Sequence, residues 1–286
     1  MTESALVMGA VAYDPKVVTI WEGFRAWLRA AELPFDFVLY SHYERQVQDL
    51  VTGRIDAAWN SPLAWLRAQR LAAAGGRLVR CAAMRDTDQD LTSVVVVRAD
   101  ADCTSLPDLK GRVVAVGAVD SPQATLIPLA HLRAVGLRPG HDVTVRRFDV
   151  GVGLHGDHIG GEREAARALA AGEVDAACMI DANHLIFSQE GILPADTSKI
   201  LAQTPPYDHC NMTVVDTAPA QLADRFINLL LSMSYDDPAV RPLLDLEGLR
   251  AWRPGRTTGY TLLDTAVNDS HFYDAAGAVT DPEYLP

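Results

Sequence analysis

The chain has 286 residues and a formal net charge of −12, with 49% hydrophobic and 22% charged residues. Its length exceeds the roughly 100–200 residues of a usual single domain, so we expect two domains with sizeable hydrophobic cores. The negative charge argues against non-specific binding to nucleic acids or anionic membranes, although a local pocket can still accept a small anion.

The amino-terminal segment, MTESALVMGAVAYDP, leads directly into a predicted strand. It has neither the basic region nor the long apolar region of a secretory signal, and the chain has no apolar run of about 18 residues that would span a membrane. We therefore expect a cytoplasmic protein that does not cross the membrane. If a leader has been removed, the expected location is periplasmic.

Two βαβαβ units follow one another along the chain. The first consists of the strand ALVMGAV, an amphipathic helix over residues 17–31, the strand FDFVLY and the segment VQDLVTGRIDAAWNS. The second consists of the strand RVVAVGA, the helix ATLIPLAHLRAVGL, the strand DVTVRRF and the segment ARALAAGEVDAACMI. Alternation of strands and helices predicts parallel strands covered by helices.

The last segments of the two units match residue by residue. Gly53 aligns with Gly172 and Asp56 with Asp175, and each DAA tripeptide opens a short apolar strand. A glycine just past the last helical turn favours the left-handed backbone conformation. Both segments therefore predict a helix, a glycine that ends it, and a buried strand.

Two connections between the units are predicted. Residues 91–100, LTSVVVVRAD, form an apolar strand that leaves the first unit, and residues 200–215, ILAQTPPYDHCNMTVV, are interpreted as one strand that returns to it. We predict an α/β protein of two lobes, residues 1–96 plus 208–286 and residues 97–207, each a mostly parallel sheet flanked by helices. The two crossing strands form a hinge, and a cleft lies between the lobes.

Four segments carry a family resemblance: YDP, GRIDAAWNSPLAW, SLPDLKGRVVAVG and VDSPQATLIPL. Through them, nearly the whole chain resembles the phosphate-, phosphite- and phosphonate-binding proteins of ABC transporters, which have a type II periplasmic-binding-protein-like fold. The resemblance implies two α/β lobes that close on a small ligand, and a membrane permease as partner. It also implies that His158 and Asp181 fall near positions that contact the ligand in relatives.

The candidate ligand-binding residues lie where predicted strands end and helices begin. In open α/β sheets ligands bind beyond the carboxyl ends of the strands, and the unpaired N–H groups of helix starts bind oxyanions. Three such loops hold Tyr13; Trp59, Asn60 and Ser61; and Ser121, Gln123, Ala124 and Thr125. The hydroxyls of Ser61, Ser121 and Thr125 can add donors to an oxyanion. Ser61 and Ser121 can equally serve only as helix caps.

Two polar clusters raise the question of a metal. The first is His155, Asp157, His158 and Glu162, and the second is His209 with Cys210, while Asp181 follows the second DAA strand. Three interpretations stay open. The carboxylates can pair with an amine of the ligand while the histidines bind its anionic group, as in an aminoalkylphosphonate. His155, His158 and His209 with a carboxylate can instead bind Zn²⁺ or Fe²⁺, or all of these groups can be structural.

The sequence supports two functional hypotheses. The first is a solute-binding protein that captures a small phosphonate- or phosphate-like oxyanion in the cleft and closes about the hinge. The second is a cytosolic enzyme that uses the same cleft for metal- or histidine-assisted chemistry on a small metabolite. The four cysteines include no CxxC pair, which argues against a cysteine-based zinc site.

Overall fold

The computed structural model describes residues 5–286. Its strands are β1 (Leu6–Val11), β2 (Phe35–Tyr40), β3 (Ala57–Asn60), β4 (Val79–Arg85), β5 (Ser93–Arg98), β6 (Val113–Val116), β7 (Thr144–Arg147), β8 (Ala176–Ile180), β9 (Ser198–Gln203), β10 (Asn211–Val215) and β11 (Trp252–Pro254). Its helices are α1 (Lys16–Ala30), α2 (Tyr43–Val51), α3 (Pro62–Ala74), α4 (Ile127–Ala134), α5 (Gly160–Ala170), α6 (Asp181–Gln189), α7 (Ala220–Ser232), α8 (Arg241–Glu247) and α9 (Thr261–Ser270). Within the described range, no helix has both the length and the apolar character needed to cross a membrane.

The strands form two mixed sheets. The first has the order β11-β4-β10-β3-β1-β2, in which β1 runs parallel to β2 and β3 and the other pairs are antiparallel. The second has the order β7-β6-β8-β5-β9, in which β6 runs parallel to β7 and β8 while β5 is antiparallel to its neighbours. Each predicted βαβαβ unit therefore forms the parallel half of one sheet. The predicted two-sheet α/β class is confirmed.

The repeated segments make equivalent contacts in the two sheets. The Asp56 carboxylate accepts a backbone N–H of β1 at 2.8 Å, and the Asp175 carboxylate accepts the corresponding N–H of β6 at 2.8 Å. Gly53 and Gly172 follow α2 and α5 with φ of +73° and +72°. The left-handed glycine predicted after each helix is confirmed, and the aligned aspartates fix the central strand of each unit to the strand that follows the glycine.

Both faces of the second sheet are covered, as the run of valines in β5 shows. Val94 and Val96 belong to the hydrophobic cluster on one face, and Val95 and Val97 belong to the cluster on the other. Successive side chains of a strand point to opposite faces, so an uninterrupted apolar strand requires apolar packing on both. The first sheet is likewise covered by helices, and buried side chains of α1 and α7 share one cluster with it.

Two crossing segments connect the sheets, residues 86–92 between β4 and β5 and residues 204–210 between β9 and β10. They run side by side through two backbone hydrogen bonds of 2.8 Å between Leu91 and Tyr207. The boundary predicted between residues 96 and 97 falls within β5, which pairs with β8 and β9 of the second sheet.

The prediction of a single returning strand over residues 200–215 is wrong. The structure divides this segment into β9 and β10, which belong to different sheets. Pro205 and Pro206 lie between them and lack the N–H groups that a continuous strand ladder needs. The break is therefore a direct consequence of the two prolines.

Candidate functional site

A cavity of about 280 Å³ lies between the two sheets, next to the crossing segments. The carboxyl ends of the parallel strands of each sheet open towards it, which is the usual place of a ligand in an open α/β sheet. On the side of the first sheet its wall includes Tyr13, Trp59, Arg85, Asp88, His209 and Cys210. On the side of the second sheet the wall includes Gln123, Gly156, Asp157, Ile180, Ala182 and Asn183.

One arginine, Arg85, lines the cavity, and its positive charge is already paired with the Asp88 carboxylate. Its guanidinium donates to the Asp88 carboxylate at 2.6 and 2.9 Å and to the Glu247 carbonyl at 2.8 Å, and it lies 5.2 Å from the centre of the Trp59 ring. Burial acts to raise the pKa of Asp88, but the Arg85 charge outweighs it and holds this pKa at about 2. Asp88 is thus ionised at neutral pH, and the ion pair leaves Arg85 poorly available to an anionic ligand.

Glu162, in the first turn of α5, lies directly behind the wall formed by Asn183 and Ile180. Its Oε2 accepts the Asn183 side-chain N–H at 2.7 Å and the Ile180 backbone N–H at 3.1 Å. Its Oε1 is buried and has no hydrogen-bond partner within residues 5–286. Burial raises the pKa of Glu162 to about 7, although the Asn183 side chain, the Ile180 backbone N–H and the neighbouring Gln123 side chain all act to lower it. A cation placed next to Oε1 would favour the ionised form.

Gln123 and Asp157 add further acceptors on the same side. Gln123 donates to the Gly156 carbonyl at 2.8 Å, and its Oε1 is buried without a partner in the described part of the chain. Asp157 accepts the Tyr43 hydroxyl, and burial raises the pKa of its carboxyl. This side of the cavity therefore presents oxygen acceptors that can take a hydrogen bond from a ligand.

His209 and Cys210 lie on the opposite side. His209 Nδ1 is 3.1 Å from Cys210 Sγ and 3.5 Å from Asp88 Oδ1, whereas Nε2 is buried and unpartnered among the described residues. Burial raises the pKa of the Cys210 thiol well above its ordinary value, so the thiol is protonated at neutral pH. When it carries a proton, His209 Nε2 is a donor available to an anionic group in the cavity.

Asp88, His209 and Cys210 are the one group of potential metal ligands found within residues 5–286, with donor atoms within 4.8 Å of one another. The paired guanidinium of Arg85 argues against a metal ion there, because two cations would compete for the same carboxylate. The geometry therefore favours an ion pair with an adjacent imidazole over a metal centre.

The structure does not bring His155, His158 and His209 together as a metal-ligand group. His155 is completely buried, with Nδ1 at 2.7 Å from the Ser61 hydroxyl. His158 is exposed, and its Nδ1 accepts the Gly160 backbone N–H at 3.1 Å. A Zn²⁺ or Fe²⁺ site built on these three histidines stays a prediction, as does the enzyme that would use it.

The predicted ligand-binding residues divide into two sets. Those that line the cavity are Tyr13, Trp59, Gln123 and His209. Those that are buried and do not line it are Asn60, Ser61, Ser121, Ala124 and Thr125. The hydroxyls of both serines accept a backbone N–H three residues on, at 3.1 and 3.2 Å, so both serve as helix caps.

Asp181 and His158 also lie outside the lining. Asp181 stands at the start of α6, where it accepts the Thr92 hydroxyl at 2.8 Å and so ties a crossing segment to the second sheet. Its neighbours Ala182 and Asn183 line the cavity instead.

Arg85, Asn183 and Glu247 were not predicted as site residues. Arg85 and Asp88 belong to MRDTDQD, which resembles a solvated loop in sequence. The available signal was the position of an arginine a few residues before the predicted crossing strand 91–100. Glu247 ends α8, far along the chain, and nothing in the sequence ties that helix to the cavity.

The chain belongs to a family of ABC transporter proteins. The family model described as "ABC transporter, phosphonate, periplasmic substrate-binding protein" matches residues 9–260. The resemblance read from the four sequence segments is confirmed by this match. No curated protein gives a significant match to the chain.

Solved structures show the same fold. PhnD1 from Prochlorococcus marinus (MIT 9301), in complex with methylphosphonate, has a TM-score of 0.67 and 16% identity, covering 93% of this chain and 97% of that one. XAC2383 from Xanthomonas citri, bound to ATP, has a TM-score of 0.68 and 17% identity, covering 93% and 96%. A putative periplasmic sulfonate-binding protein SsuA from Methylobacillus flagellatus KT has a TM-score of 0.60 and 16% identity, covering 94% and 86%. At these identities the similarity shows the fold alone.

Proposed function

We propose that this protein is the solute-binding component of an ABC transporter and that its ligand is a small molecule carrying both an amine and an oxyanion, such as an aminoalkylphosphonate. Membership of the family supports the transport role, a membrane permease as partner and a place of action outside the cytoplasm. The cavity supports the choice of ligand, since its size suits a small molecule and its wall offers two chemically different sides.

The observation that supports an amine in the ligand is the set of buried oxygen acceptors without hydrogen-bond donors on the side of the second sheet. Glu162 Oε1 and Gln123 Oε1 are both buried without partners in the described chain. Gln123 and Asp157 line the cavity, and Glu162 lies directly behind Asn183 and Ile180. Buried acceptors without partners are costly, so a ligand that supplies N–H donors gains affinity here. An ammonium group supplies three such donors and the positive charge that the carboxylates favour.

The oxyanion end of the ligand is assigned to the side of His209. Its Nε2 has no partner among the described residues and donates to the oxyanion when it carries a proton, and the ring is held by contacts of Nδ1 with Cys210 and Asp88. A methylphosphonate-bound relative of the same fold supports the oxyanion class.

Movement of the two sheets about the crossing segments is part of the proposal. The segments 86–92 and 204–210 share the hydrogen bonds between Leu91 and Tyr207, and Asp208 also accepts the Asp90 backbone N–H at 3.2 Å. Ligands that touch both sides of such a cleft stabilise the closed arrangement by their extra affinity for it.

Isothermal titration calorimetry with 2-aminoethylphosphonate and methylphosphonate tests the proposal. We expect the wild type to bind 2-aminoethylphosphonate at least about tenfold more tightly, which corresponds to about 1.4 kcal/mol. Glu162→Gln keeps the shape but removes the charge, so it should abolish this preference. The matched control is Glu164→Gln, on the same helix, where the carboxylate is partly exposed and pairs with Arg167. Equal affinity of the wild type for both compounds, or no binding of either, would contradict the proposal.

A further inference from the structure

We propose that Tyr260 positions the imidazole of His209 for the oxyanion of the ligand, as the last member of a buried hydrogen-bond chain that begins at Trp59. The chain, here called the polar chain, consists of Gln46, Asn60, Thr213, Asn211 and Tyr260. None of these five side chains lines the cavity. The proposal rests on the proposed function for one point, which is that His209 donates to the oxyanion.

The first bonds of the polar chain follow one direction. Gln46 Nε2 donates to the Trp59 carbonyl and to Asn60 Oδ1, both at 2.9 Å. Asn60 Nδ2 donates to the Thr213 hydroxyl at 2.8 Å, and that hydroxyl donates to Asn211 Oδ1 at 2.7 Å. Because a backbone carbonyl can only accept, the bond to Trp59 determines which atom of each following side chain donates.

The last two bonds of the polar chain lead to the cavity. Asn211 Nδ2 donates to the Tyr260 hydroxyl at 2.9 Å, and this hydroxyl donates to the His209 carbonyl at 2.8 Å. Burial raises the pKa of Tyr260 well above its ordinary value, so the hydroxyl keeps the proton that it donates. The polar chain therefore joins the backbone carbonyls of Trp59 and His209, two residues that line the cavity.

The backbone of His209 is held by hydrogen bonds on both of its sides. Its N–H donates to the Asp88 carbonyl at 2.8 Å, and its carbonyl accepts the Tyr260 hydroxyl. β10 begins at Asn211, so the ladder of the sheet does not fix the backbone of His209. The bonds to Asp88 and Tyr260 do so instead, and with the backbone they fix the point from which the ring enters the cavity.

The burial of the polar chain supports a role beyond stability. All five residues are at most 2% exposed. Replacing a buried hydrogen-bonded pair by apolar groups of the same shape can be nearly neutral for stability, so stability alone does not account for such a chain. Hydrogen bonds add direction, since a fully buried network defines one arrangement of its members. The ring of Tyr260 is also fixed by packing, with 6.0 Å between its centre and that of Trp65.

The consequence is a defined position for the donor that meets the oxyanion. A hydrogen bond weakens steeply when its distance or angle departs from the preferred range, so a small displacement of the His209 ring lowers the affinity. The polar chain also gives a role to Asn60, which the sequence suggested as a ligand contact. Asn60 does not line the cavity, but it belongs to the chain that ends on the His209 carbonyl.

A double-mutant cycle measured by isothermal titration calorimetry tests the positioning. Tyr260→Phe removes only the hydroxyl, and we expect it to weaken methylphosphonate binding by about fivefold, the value of one hydrogen bond. In a His209→Ala background the same change should alter the affinity by less than about twofold, because the imidazole that it positions is absent. The preference for 2-aminoethylphosphonate over methylphosphonate should stay at its wild-type value, since the amine is assigned to the opposite side.

The matched control is Tyr273→Phe. It removes an equally buried hydroxyl, which donates to Glu44 at 2.9 Å, and Tyr273 does not line the cavity. This variant should bind methylphosphonate as the wild type does. NMR of the ligand-free protein with labelled histidines adds a measurement that needs no ligand. Tyr260→Phe should shift the ring signal of His209, and Tyr273→Phe should leave that signal in place.

Wild-type affinity in Tyr260→Phe would overturn the positioning role, and so would an equal loss of affinity in both backgrounds. If the wild type binds neither phosphonate, or if His209→Ala keeps the wild-type affinity, the proposed function fails. The His209 ring signal then decides on the positioning, and an unchanged signal in Tyr260→Phe would overturn it. The same signal decides if His209→Ala does not fold. If Tyr260→Phe does not fold, Thr213→Val takes its place, with Thr213→Ser as the variant that keeps the hydroxyl and should restore wild-type behaviour.

Discussion

At the scale of the single residue, Glu162 is the carboxyl behind the cavity wall whose charge changes near neutral pH. Burial raises the pKa of this carboxyl to about 7, so it gains its negative charge as the pH rises from 6 to 8. An alkylammonium ligand is protonated throughout this range, because its pKa lies near 10. We expect the affinity for 2-aminoethylphosphonate to rise by about tenfold from pH 6 to pH 8 through this group, with release of a proton on binding below pH 7.

Calorimetry in two buffers of different ionisation enthalpy measures both the affinity and the released proton. Glu162→Gln carries no titratable group at this position, so its pH profile should be flatter than that of the wild type by the contribution of Glu162. The phosphonate of the ligand also titrates near pH 6, but it does so equally with both proteins. Identical profiles for wild type and variant would show that Glu162 does not meet the amine.

The repeated helix–glycine–strand segment is the feature of interest at the scale of the element. Gly53 and Gly172 have nearly the same left-handed φ after equivalent helices. Alanine at either position should destabilise the protein by roughly 1–2 kcal/mol, because its Cβ opposes this conformation. Gly75, at the end of α3, has φ of −89°, so Gly75→Ala should change stability by less than about 0.5 kcal/mol. Urea unfolding measures all three, and a cost at Gly75 equal to that at Gly172 would refute the conformational explanation.

The elements were predictable from sequence to the extent that local chemistry determines them. The bounds of β2 coincide with the predicted strand FDFVLY, and the aligned glycines and aspartates identify both βαβαβ units. The segment 200–215 was predicted as a single strand because both of its ends are apolar, although Pro205 and Pro206 interrupt it. The helix caps at Ser61 and Ser121 were foreseen as one of two roles, and the structure shows that role.

At the scale of the whole molecule, the cavity depends on contacts between residues that are distant in sequence. Arg85 meets Glu247 across 162 positions, and His155 meets Tyr284 across 129 positions. No local sequence pattern predicts which polar groups form hydrogen bonds with each other over such separations. The edge of the sheets where the cavity lies was therefore predictable from the sequence, whereas the acidic character of the cavity wall was not. The histidines that resemble metal ligands in sequence are separated by the fold into a buried contact, an exposed side chain and a wall of the cavity.

The whole-molecule account joins the family and the cavity. Residues 9–260 place the chain among ABC transporter substrate-binding proteins, and both sheets contribute to one cavity whose unsatisfied acceptors lie on the side of the second sheet. A ligand with an amine at one end and an oxyanion at the other fits the chemistry of both sides.

A crystal structure of the protein soaked with 2-aminoethylphosphonate tests this account most directly. We predict that the amine nitrogen lies within hydrogen-bond distance of Glu162 Oε1 and of Asp157 or Gln123, with the phosphonate on the side of His209. A phosphonate placed against Glu162 and Asp157, or a ligand bound outside the cavity, would contradict it.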